Sequence, residues 1–272
     1  MSIERIASQQ GSFQFSSSIS QAGSSLAASQ LTLSTGQRIN SIADDPAGFS
    51  LANLAAARGG GLAQALANIG NASNVLNIAS SGFDAISDLT QQISERAIQA
   101  ADGALNDDQR SAIQGEIDAL VAEIDDIARE TTFQDQALID GSFTGQSFQT
   151  GPDAGDTLEV SLGDGGAAAL GLDDIDVTTQ AGAQAAIDQA ANAQEALISQ
   201  AQQVGEIQTQ LRAREDAAVT TAINTEAARS RIEDADLARE RAEQATNQIL
   251  TQASVAAQAQ ANASAEQILS LF

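Results

Sequence analysis

Apolar residues recur at helical spacing over three long stretches of this chain. Leu62, Ile69, Leu76 and Phe83 form one seam, in step with a second made of Ala65, Ala72, Ala79, Ile86, Ile93 and Ala100. Sustained 3-4 spacing predicts a long coiled-coil helix, and Ala at most of the second positions lets a partner helix approach closely. Ile113, Ile117, Leu120, Ile124 and Ile127 predict a second helix. It opens at the turn and cap residues Asn106 and Asp107 and ends near Glu130, where Arg129 suits the helix dipole. Ala190, Leu197, Val204, Leu211 and Ala218, at strict sevens, predict a third helix from Ala181 to about Asp236. This rod is expected to pack antiparallel against the earlier two, closing a three-helix unit by seam burial.

From Thr131 the helical period gives way to alternation. Leu158, Val160 and Leu162 share one face of Thr157 to Leu162, which follows Phe148 to Thr150 and the turn residues Gly151, Pro152, Asp153 and Gly155. This predicts a β-hairpin within about 140–165. Gly163 to Thr179 is a Gly/Asp-rich connection. Gly59, Gly60 and Gly61 interrupt the first long helix in composition and imply a kink, a fray or a close helix contact.

The ends are patterned more weakly. Ser and Gln fill half of residues 1–30, and the thin seam of Ile19, Leu26 and Leu33 buries too little to order itself, so disorder is predicted in the monomer. From Leu237 an Ala/Gln-rich helix carries Ile249, Leu250, Val255, Ile268, Leu269 and Leu271 and reaches Phe272. An apolar tail with few charges needs a cover. Between these ends and the central rods lie two joints. Leu31 to Gly48 ends one helix and starts another: Gly36 suits a departure from helical geometry, Asp45 an N-cap and Pro46 a first helical position. Ser230 to Glu240 mixes Arg231 and Arg239 with Glu233, Asp234, Asp236 and Glu240, and reads as the matching joint on the returning rod.

Composition narrows the chemistry. The formal net charge is −24, with all 12 basic residues Arg and no Lys. Nucleic-acid and membrane-surface roles lack the basic patch they need. The acid is uneven: residues 1–81 carry three acidic residues and three Arg, whereas 82–181 carry twenty-one against three. A near-neutral terminus suits burial against copies of itself, and an acidic middle suits solvent. With no Cys or His, disulfides, zinc-hydrolase motifs, Ser-His-Asp triads and Cys-His dyads are excluded. Carboxylate pairs such as Asp107 with Asp108, or Asp125 with Asp126, read as capped or solvated helix faces. No catalytic residue, metal site or cofactor is expected. Met1 to Gln10 lacks the basic start and apolar run of an export signal, and no segment reaches the ~18 apolar residues of a membrane span.

The two joints also carry a resemblance. Gly36, Arg38, Ile39, Asn40, Asp44, Asp45, Ala47 and Gly48, together with Ser230 to Asp236, which includes Arg231, Glu233, Asp234 and Asp236, resemble the terminal signatures of bacterial flagellins. Phe133 to Val160 resembles that family's phenylalanine-rich loop and hairpin, and Gln248 to Asn262 its C-terminal helix. The resemblance implies a mainly α fold: a long antiparallel helical bundle or coiled coil with a small β-hairpin, its terminal helices forming an inner coiled coil in the polymer. Residues 1–42 and 237–272 are expected to be the two halves of the inner domain and 43–236 the bundle core, the short form without variable outer domains.

The implied function is a structural subunit that polymerises into the flagellar filament. It would leave the cell through the flagellar export channel without a cleaved signal, with an export chaperone, a filament cap and hook-associated proteins as partners. Where many flagellins present Arg, Glu and Leu to an innate immune receptor, this sequence has Ser94, Glu95 and Arg96, so weakened recognition is expected. The alternatives are a hook-filament junction protein, whose N-terminal signature also often contains Asp-Asp-Pro, a generic coiled-coil scaffold and an acid/base enzyme. The intact Ser230 to Asp236 signature and the loop-hairpin match weigh against the junction. A scaffold would explain the heptads but not the joints, and an enzyme needs a cleft that rods do not promise.

Overall fold

A computed structural model describes residues 2–269, with side chains described from 13 to 263. The Ile268 and Leu269 side chains, and Leu271 and Phe272 altogether, lie outside the described residues. The elements in order are α1 (Ser2–Thr35), α2 (Pro46–Ala100), α3 (Asp107–Glu130), β1 (Thr132–Phe133), β2 (Gln136–Ala137), β3 (Gln146–Gln149), β4 (Thr157–Val160), α4 (Ala167–Leu170), α5 (Gln180–Glu233) and α6 (Leu237–Leu269). Contacts divide the chain into two units, 58–223 and 1–57 with 224–272. These boundaries fall inside α2 and α5, whereas the sequence placed domain boundaries at 42/43 and 236/237.

Residues 58–223 form a three-helix bundle around one apolar seam. Every heptad position of α2 named above from Leu62 to Ala100 is buried, as are Ala190, Leu197, Val204, Leu211 and Ala218 of α5. The Asn106 side chain caps α3 by accepting from the Gln109 amide at 2.9 Å, and the Gln109 side chain returns the bond to the Asn106 amide. Gln194 donates to Ser87 at 2.6 Å and Gln208 to Asn77 at 3.1 Å, so α5 runs antiparallel to α2. It does not run antiparallel to both rods as expected. Arg96 of α2 meets Glu116 of α3 at 3.0 Å, which makes those two an antiparallel hairpin and leaves α5 parallel to α3.

The physical reason lies in the connection. Residues 163–179 travel back along α3, with the Ala167 amide donating to Asp125 at 2.9 Å and the Val177 amide to Gln114 at 2.7 Å. The chain is thereby returned to the start of α3 before α5 begins. This segment is no passive spacer, because Ala167, Leu170, Leu172, Ile175 and Val177 are all buried in the core.

The expected hairpin is β3–β4, paired antiparallel with Phe148 opposite Leu158, and Leu158, Val160 and Leu162 are buried. A smaller hairpin, β1–β2, turns through Gln134 and Asp135 at φ of 50° and 64°. Among the three glycines, Gly61 has the structural role: a Cβ there would sit 3.1 Å from that of Pro152 at the β3–β4 turn, while Gly59 and Gly60 face open space. Of the three sequence options, close contact is the one realised, although the partner is a loop and not a helix.

In the other unit α1 packs along α6. The sequence predicts no order for residues 1–30 in the monomer, yet α1 is continuous when paired. Phe15, Ile19, Ala22, Leu26 and Leu33 are its half-buried stripe, with Ser29 fully buried in line. Pairing supplies the cover that this thin seam lacks alone.

A candidate assembly joint

The two signature stretches come together, although they are 194 residues apart at their Arg38–Ile232 contact. α1 ends because Gly36 adopts φ +75°, the left-handed conformation that stops a helix most cheaply at glycine. The chain then pairs with the break between α5 and α6: Gln37 bridges Asp234, the Arg38 amide donates to the Glu233 carbonyl at 2.6 Å, and the Ala235 amide donates to the Gly36 carbonyl at 2.9 Å. Arg38 adds a guanidinium bond to the Ile232 carbonyl at 2.6 Å and lies 3.8 Å from Asp45. Each broken helix satisfies end groups of the other.

Behind this short ladder, side chains restart the helices. Asp44 accepts from the Asn40 amide at 3.0 Å and the Ser41 amide at 2.8 Å, while the Asn40 side chain donates to the Gln37 carbonyl at 2.7 Å. These bonds, the Ser41 amide foremost and then the Asn40 amide, hold the Asp44 carboxyl below its ordinary pKa. Asp45 caps α2 by accepting from the Gly48 amide at 2.9 Å. Glycine is required at 48, since a Cβ would run into the Asp45 carboxylate and come within 2.7 Å of buried Ile39. Across the joint Asp236 caps α6, accepting from the Ala238 and Arg239 amides at 3.0 and 3.2 Å. Ser230 donates to Asp234, and Glu233 pairs with Arg229 at 3.4 Å.

Of the sequence-selected residues, Gly36, Arg38, Asn40, Asp44, Asp45, Gly48, Glu233, Asp234 and Asp236 therefore share this joint. Arg231 does not: its guanidinium donates to the Ala227 carbonyl of its own helix at 3.1 Å. Ser94, Glu95 and Arg96 lie on α2, with Ser94 half-buried, Glu95 exposed and Arg96 engaged by Glu116. Ile249 and Leu250 are 66% and 51% exposed on α6.

One residue that sequence reasoning passed over is Arg110. Its side chain is buried and donates to the carbonyls of Ala100, Leu105 and Asp102 at 3.0, 2.9 and 2.9 Å, stapling the turn between α2 and α3. A single Arg one turn after the Asn106 cap, following a helix end with orphan carbonyls, was the available signal.

A cleft of about 470 Å³ in the bundle unit is lined by amide and phenyl side chains, among them Asn68, Gln136, Gln149, Phe133 and Phe143, and none of its lining residues is charged. No described helix is long and apolar enough to cross a membrane, and no cluster of acidic side chains suited to a metal occurs among the described residues.

Comparison with known proteins places this geometry. Residues 6–144 match the bacterial flagellin N-terminal helical region and residues 184–272 the bacterial flagellin C-terminal helical region, so the matches carry one half of the joint each. This chain belongs to the bacterial flagellin family. Flagellin FlaB1 of Treponema pallidum is 32% identical over 256 residues, covering 88% of this chain and 90% of that protein. The flagellin of Halalkalibacterium halodurans is 32% identical over 242 residues, covering 88% and 89%. Among solved structures, Bacillus cereus flagellin aligns with a TM-score of 0.51 at 21% identity, covering 56% of this chain and 88% of that one. A putative flagellar hook-associated protein from Vibrio parahaemolyticus aligns at 0.59 and 15% identity, covering 70% and 99%. At those identities both show the shared helical fold. As a flagellin, the chain is a structural subunit of the flagellar filament.

Proposed function

We propose that this flagellin propagates a helical homopolymer through its terminal helices and that the joint of residues 36–48 with 230–240 transmits their position to the rest of the chain. The observation that carries this reading is an inverted helix, α6. Its half-buried positions are Glu240, Gln244, Asn247, Thr251, Ser254, Ala257, Gln258 and Ala261, mostly polar and none a large apolar residue, whereas Ile249, Leu250 and Val255 are 66%, 51% and 51% exposed. Ile249 stands opposite the contact and Leu250 and Val255 on its two flanks, so large apolar side chains around α6 are left for other copies to cover.

Before assembly the same exposed apolar side chains need a temporary cover, which supports an export chaperone as partner. Passage through the flagellar export channel without a cleaved signal, and contact with a filament cap and hook-associated proteins, complete this reading. Arg96 is paired with Glu116 on the face where a receptor-binding Arg, Glu and Leu would stand, which supports weak recognition by the innate receptor.

Seeded elongation tests the central claim. Purified subunit added to sheared filament fragments should grow long filaments of uniform width in negative-stain electron micrographs, and Ile249→Asp should abolish growth while leaving the circular dichroism of the subunit unchanged. Seeds that gain only a short terminal cap would replace the propagating subunit with a junction protein.

A further inference from the structure

We propose that the charge of this subunit is locked from about pH 6 to about pH 11, so that its folding and the association of its copies are insensitive to pH over that whole range. The second half of this statement rests on the polymer reading above. The chain contains no His, Cys, Tyr or Lys, and its charged side chains are 36 carboxylates and 12 guanidiniums. Carboxylates titrate near pH 4 and guanidiniums above pH 12. Between those limits only a chain's α-amino group remains, one charge against a net of −24.

The contacts hold to the same rule. The Arg38 guanidinium lies 3.8 Å from Asp45 of its own segment, and on the facing segment it donates to the Ile232 carbonyl. Near Arg229 stand Glu226 at 2.7 Å and Glu233 at 3.4 Å, and Arg239 pairs with Glu243 at 2.9 Å. In the bundle Arg96 meets Glu116, Arg129 meets Asp126, and Arg214 donates to Thr150 at 2.8 Å. Arg110 is the sharpest case, because it is a buried cation bonded to three carbonyls with Asp107 3.8 Å away. Desolvation at such a position would drive a lysine toward its neutral form, whereas a guanidinium keeps its proton. Asp44, Asp140, Asp176 and Glu226 are held below the ordinary carboxylate range, mainly by accepting hydrogen bonds, so these four move away from the window and not into it.

The test uses the full chain at fixed ionic strength. Electrophoretic mobility and the thermal midpoint of the monomer should stay flat from pH 6.5 to 11, the midpoint within about 2 °C, and seeded elongation at pH 7 and pH 10.5 should agree within about twofold. Arg96→Lys, at an exposed pair, and Arg110→Lys, at the buried staple, each install a titratable cation. The buried variant, whose lysine desolvation drives toward the neutral form, should start less stable than the parent and acquire a midpoint that climbs as pH rises toward the ordinary lysine pKa of about 10, and the exposed variant should show the smaller change. A parent midpoint or mobility that drifts inside the window, or elongation rates differing more than tenfold, would overturn the proposal. Absence of growth at both pH values would instead sink the polymer reading, and the monomer measurements would still decide whether the charge is locked.

Discussion

The bundle and the α1–α6 pair are both built from long parallel-axis helices, yet they assign polar and apolar residues in opposite ways. In the bundle, Ala72, Leu76, Ala79, Ile86 and Ile93 are fully buried within their own chain. In the terminal pair α6 turns amides, hydroxyls and the small Ala257 and Ala261 toward the contact and leaves Ile249, Leu250 and Val255 exposed, and on α1 Phe13 is 71% exposed. The first region completes its hydrophobic burial by folding. Under the proposed function the second completes it by meeting other copies, which would place stability and assembly in different helices.

The largest effect that would sharpen this contrast is in the bundle core. Phe83→Ala should lower the unfolding free energy by about 3–5 kcal/mol in urea titrations, whereas Ile249→Ala should change it by less than about 0.5 kcal/mol while slowing seeded elongation severely. Equal effects of the two on monomer stability would dissolve the distinction. Next comes the staple: Arg110→Ala orphans three carbonyls at the α2–α3 turn and should cost about 2–4 kcal/mol, read in the same titration. Gly48→Ala should cost about 1–3 kcal/mol through overpacking against Ile39 and Asp45. Its signature is local, a loss of hydrogen-exchange protection at the Arg38 and Ala235 amides with the bundle amides unchanged.

The smallest effect is acid loosening of the joint. The folded pKa of Asp44 lies below its ordinary value, so its contribution is complete above the unfolded pKa near 4 and disappears as pH falls through the lower folded value. Exchange at the Ser41 and Asn40 amides should accelerate below about pH 4 and stay constant above it. Acceleration already at pH 6 would contradict the assignment.

Much of this was legible in the residues because burial imposes a period. The seams of α2 and α5, the Asn106 cap, the β3–β4 alternation and the separate roles of Gly36, Asp45 and Pro46 all follow from side chains that declare their environment. What was hidden depends on the backbone or on direction. The Gln37–Asp234 bridge is made by main-chain groups that any residue carries. Heptads give the face of α5 but not its polarity, so its parallel course beside α3 emerged only from the path of residues 163–179. Within that path the Gly and Asp residues masked Leu170, Leu172, Ile175 and Val177, whose short-range alternation was the overlooked sign. The weak pattern of α1 belongs to a helix that packs along a segment of chain more than two hundred residues later, a contact its own sequence does not name.

That return path has a practical consequence for anyone wishing to decorate a filament. Leu172 and Ile175 on either side are fastened into the core, while Asp173 and Asp174 between them point to solvent. A foreign epitope spliced between those two aspartates would be held at both ends by native anchors and repeated once per subunit, whereas the same splice at Leu170 would pull a peg out of the wall it is meant to hang from.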